Sequence, residues 1–341
     1  LAKANQWVTR ELPFVVYRYP NDSLLRGIFQ DHTEVVKVDN FDVQGFVFAA
    51  FDSKEDKILT SGEYLEEPFA RPKVETVERE VKFSDKGKAF HIQMVKKAIA
   101  EIKVGNLQKV VLSRVITSET EKRPLQILKG LLARYDDAFC YWWYHPKVGM
   151  WLGATPEQLL KYQRGTLWTT SLAGTVPVEE NVKPKWTPKE REEQKMVTDF
   201  IQRSLLGKVN DISISEAVSH QAGKLWHLKS TIKSSLRTFT DLGGVVGRLH
   251  PTPAVCGLPK EKSLNFILQH EGYDRQYYTG YLGPINMDEK ESVNVFVNLR
   301  CLKYTEGQVD VFVGGGVTGA SHPEEEWSET QYKSRTILEV L

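Results

Sequence analysis

Strands in this chain follow one another directly more often than they alternate with helices, and that order constrains the fold most. A repeating strand–helix order would build a doubly wound parallel sheet, whereas consecutive strands build antiparallel sheets and leave the helices to cover outer faces. Short apolar or alternating runs predict strands at residues 14–17, 41–48, 109–115, 138–144, 148–152, 167–170, 211–218 and 224–237. Apolar residues at helical spacing predict helices near 92–102, 125–134, 188–206 and 264–270. Runs at 293–304 and 308–313 predict a hairpin. The expected class is α+β. No GxGxxG opens a βαβ unit and no GxxxxGK[ST] is present, so the usual nucleotide-binding signals are missing.

Residues 1–85 read as a sheet-rich N-terminal lobe of the same structural unit as residues 86–341, with one structural domain overall. The charged stretch 73–88 is the expected internal linker, and Ser84 or Asp85 the expected cap of the helix after it. Forty-five Lys and Arg against forty-four Asp and Glu leave a formal charge of +1. That balance offers no broad attraction for nucleic acid or an anionic membrane, so any anion binding must be local. Cys140, Cys256 and Cys301 have no metal-ligand spacing, which predicts reduced, buried thiols and a cytoplasmic protein. No apolar run approaches the roughly eighteen residues of a membrane span. The chain opens on Leu1 without a signal-peptide pattern and reads as a trimmed start.

Several segments carry groups that chemistry could use. Gly314-Gly315-Gly316 follows an apolar strand, where bare backbone can approach an anion, and ten residues later come Glu326, Glu329 and Lys333. At i, i+3 and i+7 these three share a helix face, as ordinary exposed ion pairs or as a site for a hard cation and an anionic ligand. Lys109 begins a buried strand, where it either reaches water or loses its proton and serves as a base. Glu157 follows a strand at an expected helix start, favourable there for the helix dipole or as a proton donor if its pKa is raised. Ser171 to Thr175 reads as a small-residue turn, and Lys189 to Gln194 as a charged first helical turn. Arg300 ends an apolar strand, where a buried guanidinium needs an anion.

In order, the motifs KVVLSR (109–114), GATPE (153–157), SLAGT (171–175), KEREEQ (189–194), LHPTPAVCG (249–257), RQYYTGYLG (275–283), NLRC (298–301), and GGGVTGAS with EEEWSETQYK (314–333) resemble the chorismate-utilising enzyme family. That family includes isochorismate and salicylate synthases and the large subunits of anthranilate and aminodeoxychorismate synthases. The resemblance implies two packed antiparallel β-sheets with helices outside them, and chorismate bound in a cleft with Mg2+. Residues 86–341 would then be the chorismate-binding catalytic portion. Glu193 and Glu329 match the magnesium carboxylates, with Glu326 nearby and acting through water. Arg300, Tyr278 and the backbone of Gly314, Gly315 and Gly316 match the groups that hold the enolpyruvyl carboxylate. Lys333 would support the other carboxylate or the glutamates. Ala173, Gly174, Thr175, His250 and Thr252 are the remaining substrate-binding positions implied. Gln194 stands where many relatives have histidine, which concerns the surroundings of the metal carboxylate.

The resemblance also bears on the reaction. Family members that add water at C2 share the lysine at the start of KVVLSR, so Lys109 would deprotonate the water and Glu157 would protonate the departing C4 hydroxyl. The implied product is isochorismate. Ala173 stands where many aminodeoxychorismate synthases have a nucleophilic lysine, and anthranilate synthases usually lack a lysine at the position of Lys109. No glutamine amidotransferase partner is therefore expected. A salicylate synthase, which goes on to eliminate pyruvate, is the alternative, and a chorismate-binding protein without turnover is a third reading. The product would feed menaquinone or siderophore synthesis.

Overall fold

A computed structural model describes residues 1–71, 83–178, 183–222, 225–236 and 238–341. Helix α1 (Ala2–Thr9) is followed by strands β1 (Phe14–Arg18), β2 (Leu24–Phe29), β3 (Val36–Val38), β4 (Gly45–Ala49), β5 (Lys57–Thr60) and β6 (Glu63–Pro68). Helix α2 (Lys88–Lys103) leads to β7 (Lys109–Glu119), α3 (Pro124–Arg134), β8 (Phe139–His145), β9 (Gly149–Thr155), β10 (Gln158–Gln163) and β11 (Thr166–Pro177). Then come α4 (Pro188–Leu205), β12 (Asn210–Ile214), β13 (Val218–Ala222), β14 (Leu225–Ser235), α5 (Leu242–Leu249), β15 (Gly257–Leu258) and α6 (Lys260–His270). The chain closes with β16 (Tyr281–Ile285), β17 (Val293–Val297), β18 (Cys301–Thr305), β19 (Gln308–Val317) and α7 (Pro323–Leu338).

The strands form two antiparallel sheets. The first has the order β15-β7-β19-β18-β9-β8-β1-β2-β6, and the second β12-β14-β11-β10-β17-β16-β4-β5-β3, with β13 also on β14. Strands from residues 14–68 enter both sheets, β1, β2 and β6 in one and β3, β4 and β5 in the other.

Strand β8 shows why its sequence is apolar throughout. Phe139, Tyr141 and Trp143 point into an aromatic core with Phe46, Phe48 and Phe296 of the second sheet. Cys140 and Trp142, on the opposite face, pack with α3 residues Leu128 and Leu131. A strand covered on both faces has no polar side to alternate with. On the outer face of the second sheet, Val197, Ile201 and Leu205 of α4 join Val245, Val246 and Leu249 of α5 over Leu160, Leu167 and Ile232. Cys140, Cys256 and Cys301 are free and buried, as their spacing implied. Among the described residues no helix is long and apolar enough to cross a membrane.

Four local expectations change. The apolar run 293–304 is two strands in different sheets, because the chain crosses from β17 to β18 at residues 298–300. The pattern runs unbroken across the crossing since Val295, Val297, Cys301 and Leu302 are all buried on either side of it. Residues 171–175 are no turn; they lie inside β11, whose register slips between Ala173 and Thr175 at Gly174, φ +69°. The run 211–218 divides into β12 and β13 on the same edge of β14. Finally, Gly87 caps α2 while Ser84 and Asp85 belong to the preceding turn. The expected linker lies mostly outside the described residues.

Candidate active site

The cleft forms where two neighbouring segments pass between the sheets. Pro156 and Glu157 carry the chain from β9 in the first sheet to β10 in the second, and Asn298 to Arg300 carry it back from β17 to β18. The crossings are tied together: Val297 N–H donates to Glu157 O at 2.9 Å, Thr155 Oγ1 to Val297 O at 2.6 Å, and Ala154 N–H to Arg300 O at 3.1 Å. Glu157 therefore sits at a strand-to-strand crossing and not at the expected helix start. Sheet hydrogen bonding on both sides holds it and Arg300 at the seam. Arg300 takes φ +46°, a left-handed conformation uncommon for a side-chain-bearing residue.

Around this seam is a cavity of about 190 Å³ whose lining includes Lys109, Glu157, Glu193, Arg300, Glu329 and Lys333. Ala173, Gly174, Tyr278, Gly314, Gly315, Gly316 and Glu326 also line it. His250 and Thr252 are not among the lining residues, though Ala254 and Val255 of the same loop are. His250 is buried, bonds to the carbonyls of Ala50 and Phe51 through Nε2 at 3.2 Å each, and packs edge-on against Tyr281. Thr252 accepts the backbone N–H groups of Val255 and Cys256 on its own carbonyl and so shapes the loop from within. The Thr175 side chain lies outside the described residues.

Gly314, Gly315 and Gly316 continue the strand, pairing with Ser113, Leu112 and Val111 within the β7–β19 ladder. Their role is room. A Cβ at Gly315 would lie 3.1 Å from Glu326 Oε2 and 3.5 Å from Glu329 Oε1. At Gly316 it would lie 2.9 Å from Lys109 Cε and 3.6 Å from Glu193 Oε1, and at Gly314 3.1 Å from the Tyr278 hydroxyl. The three carboxylates thus gather along a strand stripped of side chains.

Two ion pairs organise the charge. Lys109, only 2% exposed, holds Glu193 Oε1 at 2.6 Å, and Lys333 holds Glu329 Oε1 at 2.6 Å while donating to Gly314 O at 3.2 Å. Burial pulls the Lys333 pKa down, but Glu329, Glu326 and Glu193 outweigh it and hold it above the usual lysine range. Glu157 goes the other way: burial raises its pKa to about 7 against the opposing pull of Lys109, Lys333 and Arg300. Burial lowers the Arg300 pKa and raises that of Tyr278.

The sequence profile described as chorismate binding enzyme matches residues 46–341. The chain belongs to the chorismate-binding enzyme family. It is 31% identical over 265 residues to the salicylate biosynthesis isochorismate synthase of Pseudomonas aeruginosa, covering 72% of this chain and 53% of that one. To the isochorismate synthase MenF of Escherichia coli it is 31% identical over 281 residues, covering 78% of this chain and 63% of the relative. The chain thus spans between half and two thirds of the length of these relatives. The structure of the same MenF superposes with a TM-score of 0.78 at 20% identity, over 96% of this chain and 88% of that one. Anthranilate synthase component I of Streptococcus pneumoniae superposes at 0.72 and 16% identity, over 95% and 90%.

In this chorismate-binding enzyme the donor set suits a hard cation. Glu193, Glu326 and Glu329 are carboxylates gathered at the glycine strand, whose bare backbone leaves space for an ion that a Cβ would fill. Among the described residues no group of three or more His, Cys, Asp or Glu side chains is already placed to hold a metal ion. Gln194, next to Glu193, turns away from the cavity. Its Nε2 lies 2.9–3.1 Å from Ser171 Oγ, Thr198 Oγ1 and Ser230 Oγ, which fastens α4 to β11 and β14. Glu190 and His227 also line the cleft and escape a reading of the sequence. Glu190 stands three before Glu193, the spacing that singles out Glu326 and Glu329, and it accepts the Thr187 N–H at 2.9 Å in a capping box. His227 is a lone histidine on a strand, with no spacing to betray it. Its Nδ1 donates to Gly174 O at 3.1 Å, and burial, then Arg300 and Lys333, push its pKa down to about 3, so the ring stays neutral.

Proposed function

We propose that the protein is an isochorismate synthase, an isomerase that adds water at C2 of chorismate with loss of the C4 hydroxyl. The observation that carries this reading is a single small cavity lined by a buried lysine, Lys109, and a carboxyl poised to hold its proton at neutral pH, Glu157. Glu157 gives its proton to the departing C4 hydroxyl, and Lys109 takes one from the attacking water. Lys109 is engaged by Glu193 at 2.6 Å and serves the water once Glu193 turns to another partner. Arg300 and Tyr278 hold the enolpyruvyl carboxylate, and Lys333 supports the second carboxylate of this dianion. Bound Mg2+ would be held by Glu193 and Glu329, with Glu326 through water, and would neutralise the ring carboxylate.

Ala173 lines the cavity with no amine of its own, and Lys109 lines it as a base for water, which supports water over amination and a protein that needs no amidotransferase partner. Three free buried thiols support a cytoplasmic setting. Chromatography of chorismate and Mg2+ with the purified protein tests the reading. Isochorismate is the expected product; salicylate with pyruvate, or aminated product when ammonium is supplied, overturns it.

A further inference from the structure

Behind the cleft lies a buried ion pair that the proposed reaction does not use. Arg275 and Glu271 are 3% and 4% exposed. Glu271 Oε1 also accepts both the N–H and the Oγ–H of Ser113 at 2.8 Å, so the pair is anchored to β7. An arginine carries five N–H donors, and here all are placed. Nε donates to Glu271 Oε2 at 2.7 Å, and Nη2 to Glu271 Oε1 at 2.5 Å and to Val111 O at 2.8 Å. Nη1 donates to Val255 O at 2.9 Å and to Thr279 Oγ1 at 3.1 Å.

Arg275 does not line the cavity, but what it grips does. Val111 lies two residues beyond Lys109 on β7, Val255 belongs to the loop before β15, and Thr279 follows Tyr278; all three line the cleft. Thr279 is fully buried at φ +60°, a conformation that a β-branched residue rarely takes. Its hydroxyl donates to Tyr278 O at 2.5 Å and accepts from Arg275, so the strained turn is clamped on both sides. Strain of this kind persists only where the surroundings over-determine it.

We propose that Arg275, paired with Glu271, is a positioning residue that sets Lys109's strand, the loop at Val255 and Tyr278 in the mutual arrangement that turnover needs. The inference rests on the proposed chorismate chemistry and deepens it: Arg300 and Lys333 supply affinity, while Arg275 supplies alignment through backbone carbonyls.

Two variants test it. Arg275→Lys keeps a positive charge beside Glu271 but lacks the planar fork that reaches Val111 O and Val255 O together. Thr279→Gly removes the clamped hydroxyl and relieves the left-handed strain, so it is the variant that decides if Arg275→Lys does not fold. Turnover is followed as chorismate consumption, with chorismate affinity by calorimetry and melting temperature alongside. In folded variants kcat should fall by roughly ten- to a hundredfold, the scale on which small misplacements slow a reaction, while chorismate affinity, which Tyr278 shares with Arg300 and Lys333, falls far less. Unchanged kcat overturns the proposal. So does a loss of kcat matched by equal losses of chorismate affinity and melting temperature, the pattern of a merely structural pair. A wild-type product other than isochorismate would overturn the proposed function yet leave this comparison standing, since the assay reads consumption.

Discussion

A carboxyl that gives a proton to a departing hydroxyl at neutral pH must still hold that proton when the substrate arrives. Burial at the sheet crossing does this for Glu157, raising its pKa to about 7 despite Lys109, Lys333 and Arg300. Activity that depends on the protonated form declines as pH rises through about 7, and the decline in kcat/KM should disappear in Glu157→Gln, whose residual rate is lower by roughly a hundredfold or more. The same shift has a thermodynamic consequence. An unfolded glutamate titrates near 4.3, so stability from the protonated folded form is present below that value and is lost between about pH 4.3 and 7. Glu157→Gln should therefore melt higher than the wild type at about pH 8 and match it at about pH 4. A melting difference independent of pH would contradict the shift. Lys109→Ala should slow turnover by about a hundredfold or more while chorismate still binds, as read by steady-state rates beside calorimetry. At the carboxylates proposed to hold Mg2+, Glu193→Gln or Glu329→Gln should abolish Mg2+-dependent turnover and weaken Mg2+ binding in calorimetry, since each removes a hard anionic oxygen.

At the scale of elements, a bulge and a glycine strand decide which groups meet. Gly174 adopts φ +69° at the slip in β11, and a Cβ there would lie 3.0 Å from Glu190 Cβ and 3.3 Å from Glu190 O. The bulge lets the first turn of α4 come close enough to bring Glu190 and Glu193 to the cavity. Gly174→Ala should cost about 1–2 kcal/mol from the left-handed backbone alone, more if α4 is displaced, and denaturant titration reads it directly. A neutral effect would mean that the bulge does not set the position of α4. This device was invisible in the sequence, where the small residues at 171–175 suggested a turn. Local composition cannot distinguish a glycine that ends a strand from one that kinks it. The start of β7 and the helices α3 and α4 were legible, because their apolar patterning is a local property.

At the scale of the whole molecule, the site exists because two strands leave one sheet for the other side by side, with Glu157 and Arg300 at the crossings. Periodicity could not reveal this, since residues on both sides of each crossing are buried and the apolar pattern is unbroken. The resemblance named both residues but not the architecture that brings them together, and it also named His250 and Thr252, which belong to the loop that carries Ala254 and Val255 to the cavity. What it named at Lys109, Glu193, Glu329, Lys333 and Tyr278 does converge on one cavity. Convergence of a buried lysine and a proton-holding carboxyl is the core of the functional account, and the account commits the new hydroxyl to solvent. The direct measurement is mass spectrometry of the product formed from chorismate in water enriched in the heavy oxygen isotope, sampled early in the reaction. Isochorismate carrying one heavy oxygen at C2 is the predicted result; isochorismate without the label, or a product that is not isochorismate, would contradict it.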